Sequence, residues 1–210
     1  MIMLFIDPEL TRHMIADENN LVELGTPGVL IPAVVYGILS LRKYRLLPGK
    51  RALIWIAMVT LASFYFAGEE ISWGQQLFHW STPEVISEYN DQHETNLHNT
   101  SSWFDQKPRI VLELWVLVGG IFMPLLNYSR KKKYLVSDWR YWFWPYKACF
   151  VPAFLAILVK MPDHLSDLIV DFVYGTNIRY SELQEFYFAY FLMVFLYATC
   201  RKLEQLEKPQ

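Results

Sequence analysis

Residues 52–67 read ALIWIAMVTLASFYFA, and residues 68–80 read GEEISWGQQLFHW. The first stretch carries no charge. The second sets two adjacent carboxylates, Glu69 and Glu70, two amides, a histidine and two tryptophans directly behind it. A helix rises about 1.5 Å per residue and bilayer hydrocarbon is about 30 Å thick, so about twenty apolar residues cross it. Counted from Arg51, the crossing ends near Ser72. Glu69 and Glu70 then fall at or just inside a membrane boundary, where ionisable groups are costly and are kept for a purpose.

Blocks of the same kind recur along the 210 residues. They cover about Gly25–Leu41, Ala52–Gly68, Ile110–Tyr128, Trp142–Val159 and Leu183–Cys200. Each is expected to be helical, because a span in lipid must satisfy its own backbone hydrogen bonds. The chain is 53% hydrophobic and only 19% charged, below the roughly one quarter charged that is usual for soluble domains. The expected fold is all-α: a polytopic membrane bundle of five transmembrane helices, with residues 1–210 forming a single membrane domain. Gly119-Gly120 and Pro124 predict close helix contact or a bend in the third span. Pro32 predicts a bend in the first. Trp139, Tyr141, Trp142 and Trp144 read as an aromatic belt at an interface.

Charge sorts the connecting segments. Fourteen of the nineteen Lys and Arg fall in the Arg42–Arg51 and Arg130–Lys147 segments and in the tail after Cys200. Of the acids, only Asp138, Glu204 and Glu207 share that side. The excess of cations predicts that this side is cytoplasmic, with the N-terminus outside and the C-terminus inside. The outer loops are then 81–107 and 160–180. The second reads as an amphipathic interfacial helix, with Leu165, Leu168, Ile169, Phe172 and Val173 on one face and Asp163, Asp167 and Asp171 on another. Basic residues occur only as anchors beside spans, which excludes nucleic acid and points to membrane lipid as the partner. Cys149 and Cys200 lack metal spacing and are expected to be small packing residues.

The depth count places Glu23, Glu69, Glu70, Glu113, Glu182 and Glu185 near one level, with Arg109, Lys160 and Arg179 beside them. Carboxylates crowded at low dielectric either hold protons or bind a cation. Glu113 has a simpler partner in Arg109, one turn earlier. On a helix continuing past Glu70, Ser72, Gln76 and His79 share a face, and Glu69, Trp73, Gln76 and Trp80 form a neighbouring stripe. A second cluster, His93-Glu94-Thr95-Asn96-Leu97-His98-Asn99, puts Glu94 and His98 four apart. Its two histidines are spaced unlike a zincin motif. Glu69, Glu70, His79, Glu94 and His98 are the candidate acid–base residues, and Trp73, Gln76 and Asn96 the candidate substrate-binding ones. Glu70, Glu94 and His98 are candidate ligands for a divalent metal. No nucleophile elbow and no phosphate-cradling glycine loop is present.

The two motifs together, Gly68-Glu69-Glu70-Ile71-Ser72-Trp73-Gly74-Gln75 and Glu94-Thr95-Asn96-Leu97-His98-Asn99, join Asp17-Glu18, Leu21-Val22-Glu23 and Thr82-Pro83-Glu84 in one pattern over the first half of the chain. The pattern resembles a family of small uncharacterised bacterial multi-span membrane proteins. The resemblance implies a bacterial inner membrane with a periplasmic or extracellular outer side, and it transfers no catalytic residue. Three functions fit the sequence: an enzyme acting at the outer leaflet on a lipid or lipid-linked envelope substrate, an ion-coupled transporter, and a non-catalytic assembly or partner-binding subunit. The sequence leaves the number of copies open.

Overall fold

A computed structural model describes residues 21–78, 80–82, 102–130, 134–165 and 180–208. Among the described residues every regular element is helical. The elements are α1 (Leu21–Arg42), α2 (Lys50–Glu70), α3 (Gln75–Phe78), α4 (Ser102–Trp115), α5 (Met123–Arg130), α6 (Trp139–Phe143), α7 (Phe150–Leu165) and α8 (Tyr180–Glu207). Among the described residues five segments are long and apolar enough to cross a membrane: Gly25–Arg42, Lys50–Glu70, Lys107–Asn127, Trp139–Met161 and Tyr180–Glu207. They coincide with the five apolar blocks.

The helices present apolar groups outward as well as inward. Ile31, Val35 and Ile38 of α1, Ile54, Met58 and Leu61 of α2, and Val151, Phe154 and Leu158 of α7 are all exposed. Several hydroxyls lie inside; Thr199 reaches the Tyr146 hydroxyl at 3.4 Å, and three others bond back to their own helices. Ser40 donates to the Tyr36 carbonyl at 2.8 Å, Thr60 to Ile56 at 2.7 Å and Ser63 to Val59 at 2.9 Å. Such back-bonding satisfies a hydroxyl without a partner helix. An outer surface of this kind suits hydrocarbon better than water.

Helix α8 is the axis of the core. Gln184, Phe188, Phe191, Leu192, Phe195, Leu196, Thr199 and Leu203 are buried and recur three or four residues apart, with the adjacent pairs 191–192 and 195–196 widening the face, the stripe of a helix packed along its length. Its partners advance in step with it. Gly25 meets Phe186, Tyr36 meets Tyr197 and Lys43 pairs with Glu207, so α1 and α8 run parallel. Arg109 meets Glu185 and Gly120 meets Phe191, so the third span runs the same way. The short connection from α1 turns at Gly49, with φ +91°, and makes α2 antiparallel. The two cross where Gly37 lies on Thr60; a Cβ on Gly37 would stand 2.2 Å from the Thr60 hydroxyl. The ends of α2 and α7 and the starts of α4 and α8 thus lie together at an acidic end. The other end carries Arg42, Lys43, Lys50, Arg51, Arg140 and Arg201.

The glycine pair of the third span behaves as expected. The helix widens to a π-helix over Val116–Phe122, with the Met123 N–H bonded to the Val118 carbonyl. Pro124 follows directly and has no N–H to give to Gly120, so the ladder shifts register. The missing side chains admit neighbours: a Cβ would stand 2.7 Å from Pro145 at Gly119 and 2.5 Å from Ala153 at Gly120.

The helix of α1 runs on through Pro32, so any effect of that proline falls within the helix rather than ending it. Two expectations need correction, on the fourth span and on the first outer loop. Trp142 does not belong to an interfacial belt: it is fully buried, its indole donating to the Val136 carbonyl at 2.9 Å. The chain breaks at Trp144-Pro145, which turns α6 inward against α2 rather than starting one straight span. Finally, α4 starts eight residues before Ile110, so part of the loop assigned to 81–107 is helical. Of the interfacial helix expected over 160–180, residues 160–165 continue α7 and 166–179 lie outside the described residues.

Candidate functional site

The stretch after α2 does not continue as a helix, and this corrects the one-face arrangement of Ser72, Gln76 and His79. Ser72 and Trp73 adopt φ +46° and +55°, and Gly74 φ +101°. Left-handed backbone at a residue with a Cβ costs about 1–3 kcal/mol. Here two such residues stand in succession, and the turn closes with the Gly74 N–H on the Ile71 carbonyl at 2.8 Å. The reversal carries the Trp73 ring back over α2. Its indole N–H donates to Glu69 Oε1 at 2.6 Å. Its ring meets Phe64 and Tyr65 edge-on, with centroids 5.9 and 6.1 Å apart. Room for it exists because residue 68 is glycine: a Cβ there would stand 2.9 Å from the ring. A hydrogen bond to a charged group contributes about 1.5–3 kcal/mol net. Covering an aromatic ring adds about as much, enough to offset the backbone strain.

Glu69 is 4% exposed, although the helix ends one residue later. Glu70 beside it is half-buried. Beyond the turn, the Gln75 amide donates to the Trp80 carbonyl at 3.2 Å and to the Thr82 hydroxyl at 2.9 Å. Trp80 stacks on Phe78 with rings 6.1 Å apart and 8° from parallel, and it lies over Gly74. The turn therefore closes Trp73 on one buried carboxylate, and Gln75, Phe78, Trp80 and Thr82 tie a knot behind it, with Trp73, Phe78 and Trp80 exposed on its outside.

A second polar group joins the third span to α8. The Arg109 guanidinium donates to Glu185 at 2.9 Å and to the side-chain amide oxygen of Gln184, Oε1, at 2.8 Å. Gln184, fully buried, passes its own N–H to Glu113 at 3.4 Å. Arg109 thus pairs between helices rather than with Glu113 one turn away, as the spacing had suggested. An amide at the head of a mostly apolar stripe needs such partners, since an unsatisfied buried polar group costs about 1–3 kcal/mol.

Of the candidate residues, Glu69, Glu70 and Trp73 lie together at the acidic end. Gln76 falls in α3, next to the Gln75 that ties the knot. His79, Glu94, Asn96 and His98 lie outside the described residues, and with them most of the candidate metal set. Among the described residues no group of three or more His, Cys, Asp or Glu is arranged to hold a metal ion. The sequence pattern placed Glu185 only among the carboxylates at this level, and it did not single out Gln75 or Gln184. Gln184 had a signal, a lone amide on the buried stripe of α8. Gln75 had none that separates it from Gln76. No protein-family model matches this sequence, and no curated protein and no solved structure matches it either.

Proposed function

We propose that this chain is an integral membrane protein of a bacterial inner membrane, with its N-terminus outside, its C-terminus cytoplasmic and its acidic end at the outer boundary. It acts there as an acid–base enzyme on a lipid or lipid-linked envelope substrate. One observation carries the reading: Glu69 is a buried carboxylate at the end of a span, held by an indole N–H through a turn that spends strained backbone to do so. Strain of this kind concentrates at functional sites. A fixed carboxylate beside a more accessible one, Glu70, suits proton transfer to a headgroup arriving from the membrane face. The partly open Trp73, Phe78 and Trp80 offer an amphipathic wall at that level. Sorting of cations to the opposite end supports the orientation.

The test is the lipid composition of cells that carry the wild-type chain, lack it, or carry Glu69→Gln. The proposal expects one lipid or lipid-linked species to accumulate equally in the last two, with Glu69→Gln protein present at wild-type level in the membrane. Identical lipids in all three would overturn it.

A second reading, a non-catalytic assembly subunit, draws on the Arg109–Gln184–Glu185–Glu113 group, whose members satisfy one another and leave a scaffold rather than a reactive centre. It expects Arg109→Gln to lose folded protein while Glu69→Gln changes no lipid. Transport fits least well, because the buried hydroxyls Ser40, Thr60 and Ser63 are each spent on their own helix, where a carrier needs polar groups free to take its cargo.

A further inference from the structure

The basic end differs from the acidic end in carrying more cations than acids. In the first turn of α2, Lys50 and Arg51 are exposed, and among the described residues neither forms an ion pair. The Arg51 guanidinium lies 5.9 Å from the centre of the Trp139 ring. Arg140 is the next residue of α6 and is also exposed; its Nε stands 3.7 Å from Asp138 Oδ1, and Asp138 is otherwise engaged in capping α6. The packing of α2 on α6 thus sets Arg51 over Trp139, with Lys50 its neighbour in sequence on one helix and Arg140 the residue after Trp139 on the other. Arg51 also heads a stripe. Ile54, Met58 and Leu61 follow it at steps of three, four and three and are all exposed, so they share its face.

We infer that Arg51, Trp139 and Arg140, with Lys50, form a headgroup site for an anionic phospholipid. The phosphate sits between the guanidinium groups of Arg51 and Arg140. Arginine suits it because its planar fork bonds two phosphate oxygens at once. Trp139 holds the Arg51 guanidinium in place by a cation–π contact. One acyl chain lies along Ile54, Met58 and Leu61. Charge complementarity chooses an anionic lipid over a zwitterionic one, whose headgroup brings its own cation. The inference rests on reading the five helices as membrane spans. It does not depend on the acidic end.

The test uses the full chain, purified in an uncharged detergent and titrated with phosphatidylglycerol or phosphatidylcholine, with bound lipid read by native mass spectrometry. The expected preference for phosphatidylglycerol is about tenfold, each nearby cation adding to the attraction. Arg51→Gln/Arg140→Gln brings the ratio close to one, whereas Arg201→Gln/Lys202→Gln removes the same number of cations from the same end and leaves the preference intact. No preference in the wild type, a preference that survives Arg51→Gln/Arg140→Gln, or equal loss in both double variants would overturn the site. Both arginines are exposed, so the variants should fold. If the glutamine pair does not, Arg51→Lys/Arg140→Lys decides: it keeps the charge and loses the fork, and the preference must fall without disappearing. A chain that stays in solution without detergent would instead refute the membrane reading on which the site depends.

Discussion

At the acidic end of the bundle, charged and polar groups are one another's partners: Trp73 closes on Glu69, and Arg109 reaches both Glu185 and Gln184. At the basic end, Arg45, Lys50 and Arg51 face outward, and ion pairs such as Lys43–Glu207 and Arg201–Glu204 lie on the surface. The same helices supply both ends, so length and hydropathy do not separate them. What separates them is enclosure. Glu69 and Gln184 are buried and receive donors at 2.6 and 2.8 Å, whereas each ion pair at the basic end has a well-exposed member. Polar groups enclosed in this way are costly to disturb, whereas isolated surface charges are cheap.

This contrast can be broken or sharpened by substitution. The largest effect is expected for Arg109→Gln. It leaves Glu185 and Gln184 without their donor, at about 3 kcal/mol, the lower end of the cost of breaking a buried pair because both charged partners are about one fifth to one quarter exposed. Arg45→Gln at the other end should stay within about 0.5 kcal/mol. Equal losses in unfolding titrations in detergent would erase the distinction. Next comes Gly68→Ala, whose methyl would collide with the Trp73 ring, at about 2 kcal/mol. Limited proteolysis should then show the segment after residue 71 opening before the spans do. Trp73→Phe keeps most of the ring and deletes the donor, at about 1.5 kcal/mol; a loss as large as that of Gly68→Ala would mean that packing, not the hydrogen bond, holds the turn. The smallest effect belongs to Lys43. Its hydrogen bond to Glu207 raises its pKa above the ordinary 10.5. The stabilisation is therefore complete below pH 10.5 and disappears as pH rises through the raised value. The melting temperatures of wild type and Lys43→Met should differ slightly at pH 8 and converge in strong alkali. A gap that widens with pH would contradict the pairing.

Much of the scaffold was legible because lipid imposes a length and forbids charge within it, and both are visible in one dimension. The Gly119-Gly120 contact was legible for a related reason: small residues inside an apolar span have few other uses. The site was read less well. The spacing of Glu69, Trp73, Gln76 and Trp80 imitates a helical stripe, but the backbone reverses at Ser72. Gly68 and Gly74 on either side of the turn were the available sign, since glycine past a helix end commonly takes positive φ. The partner of Arg109 was not readable at all. Glu113 stands four residues away in sequence, and only the packing of the third span on α8 brings Glu185 closer. Trp142 failed similarly, because an interfacial tryptophan and a buried one look alike until the chain is seen to turn at Pro145.

The most direct test is the indole N–H spectrum of the protein labelled with nitrogen-15 at tryptophan, in detergent, with Trp73 assigned by its loss in Trp73→Phe. The account predicts that the Trp73 signal lies downfield of the exposed indoles, exchanges slowly with solvent and moves sharply in Glu69→Gln. A Trp73 signal that sits among the exposed indoles and stays in place when Glu69 loses its charge would contradict it, for then no carboxylate is captured at the end of α2.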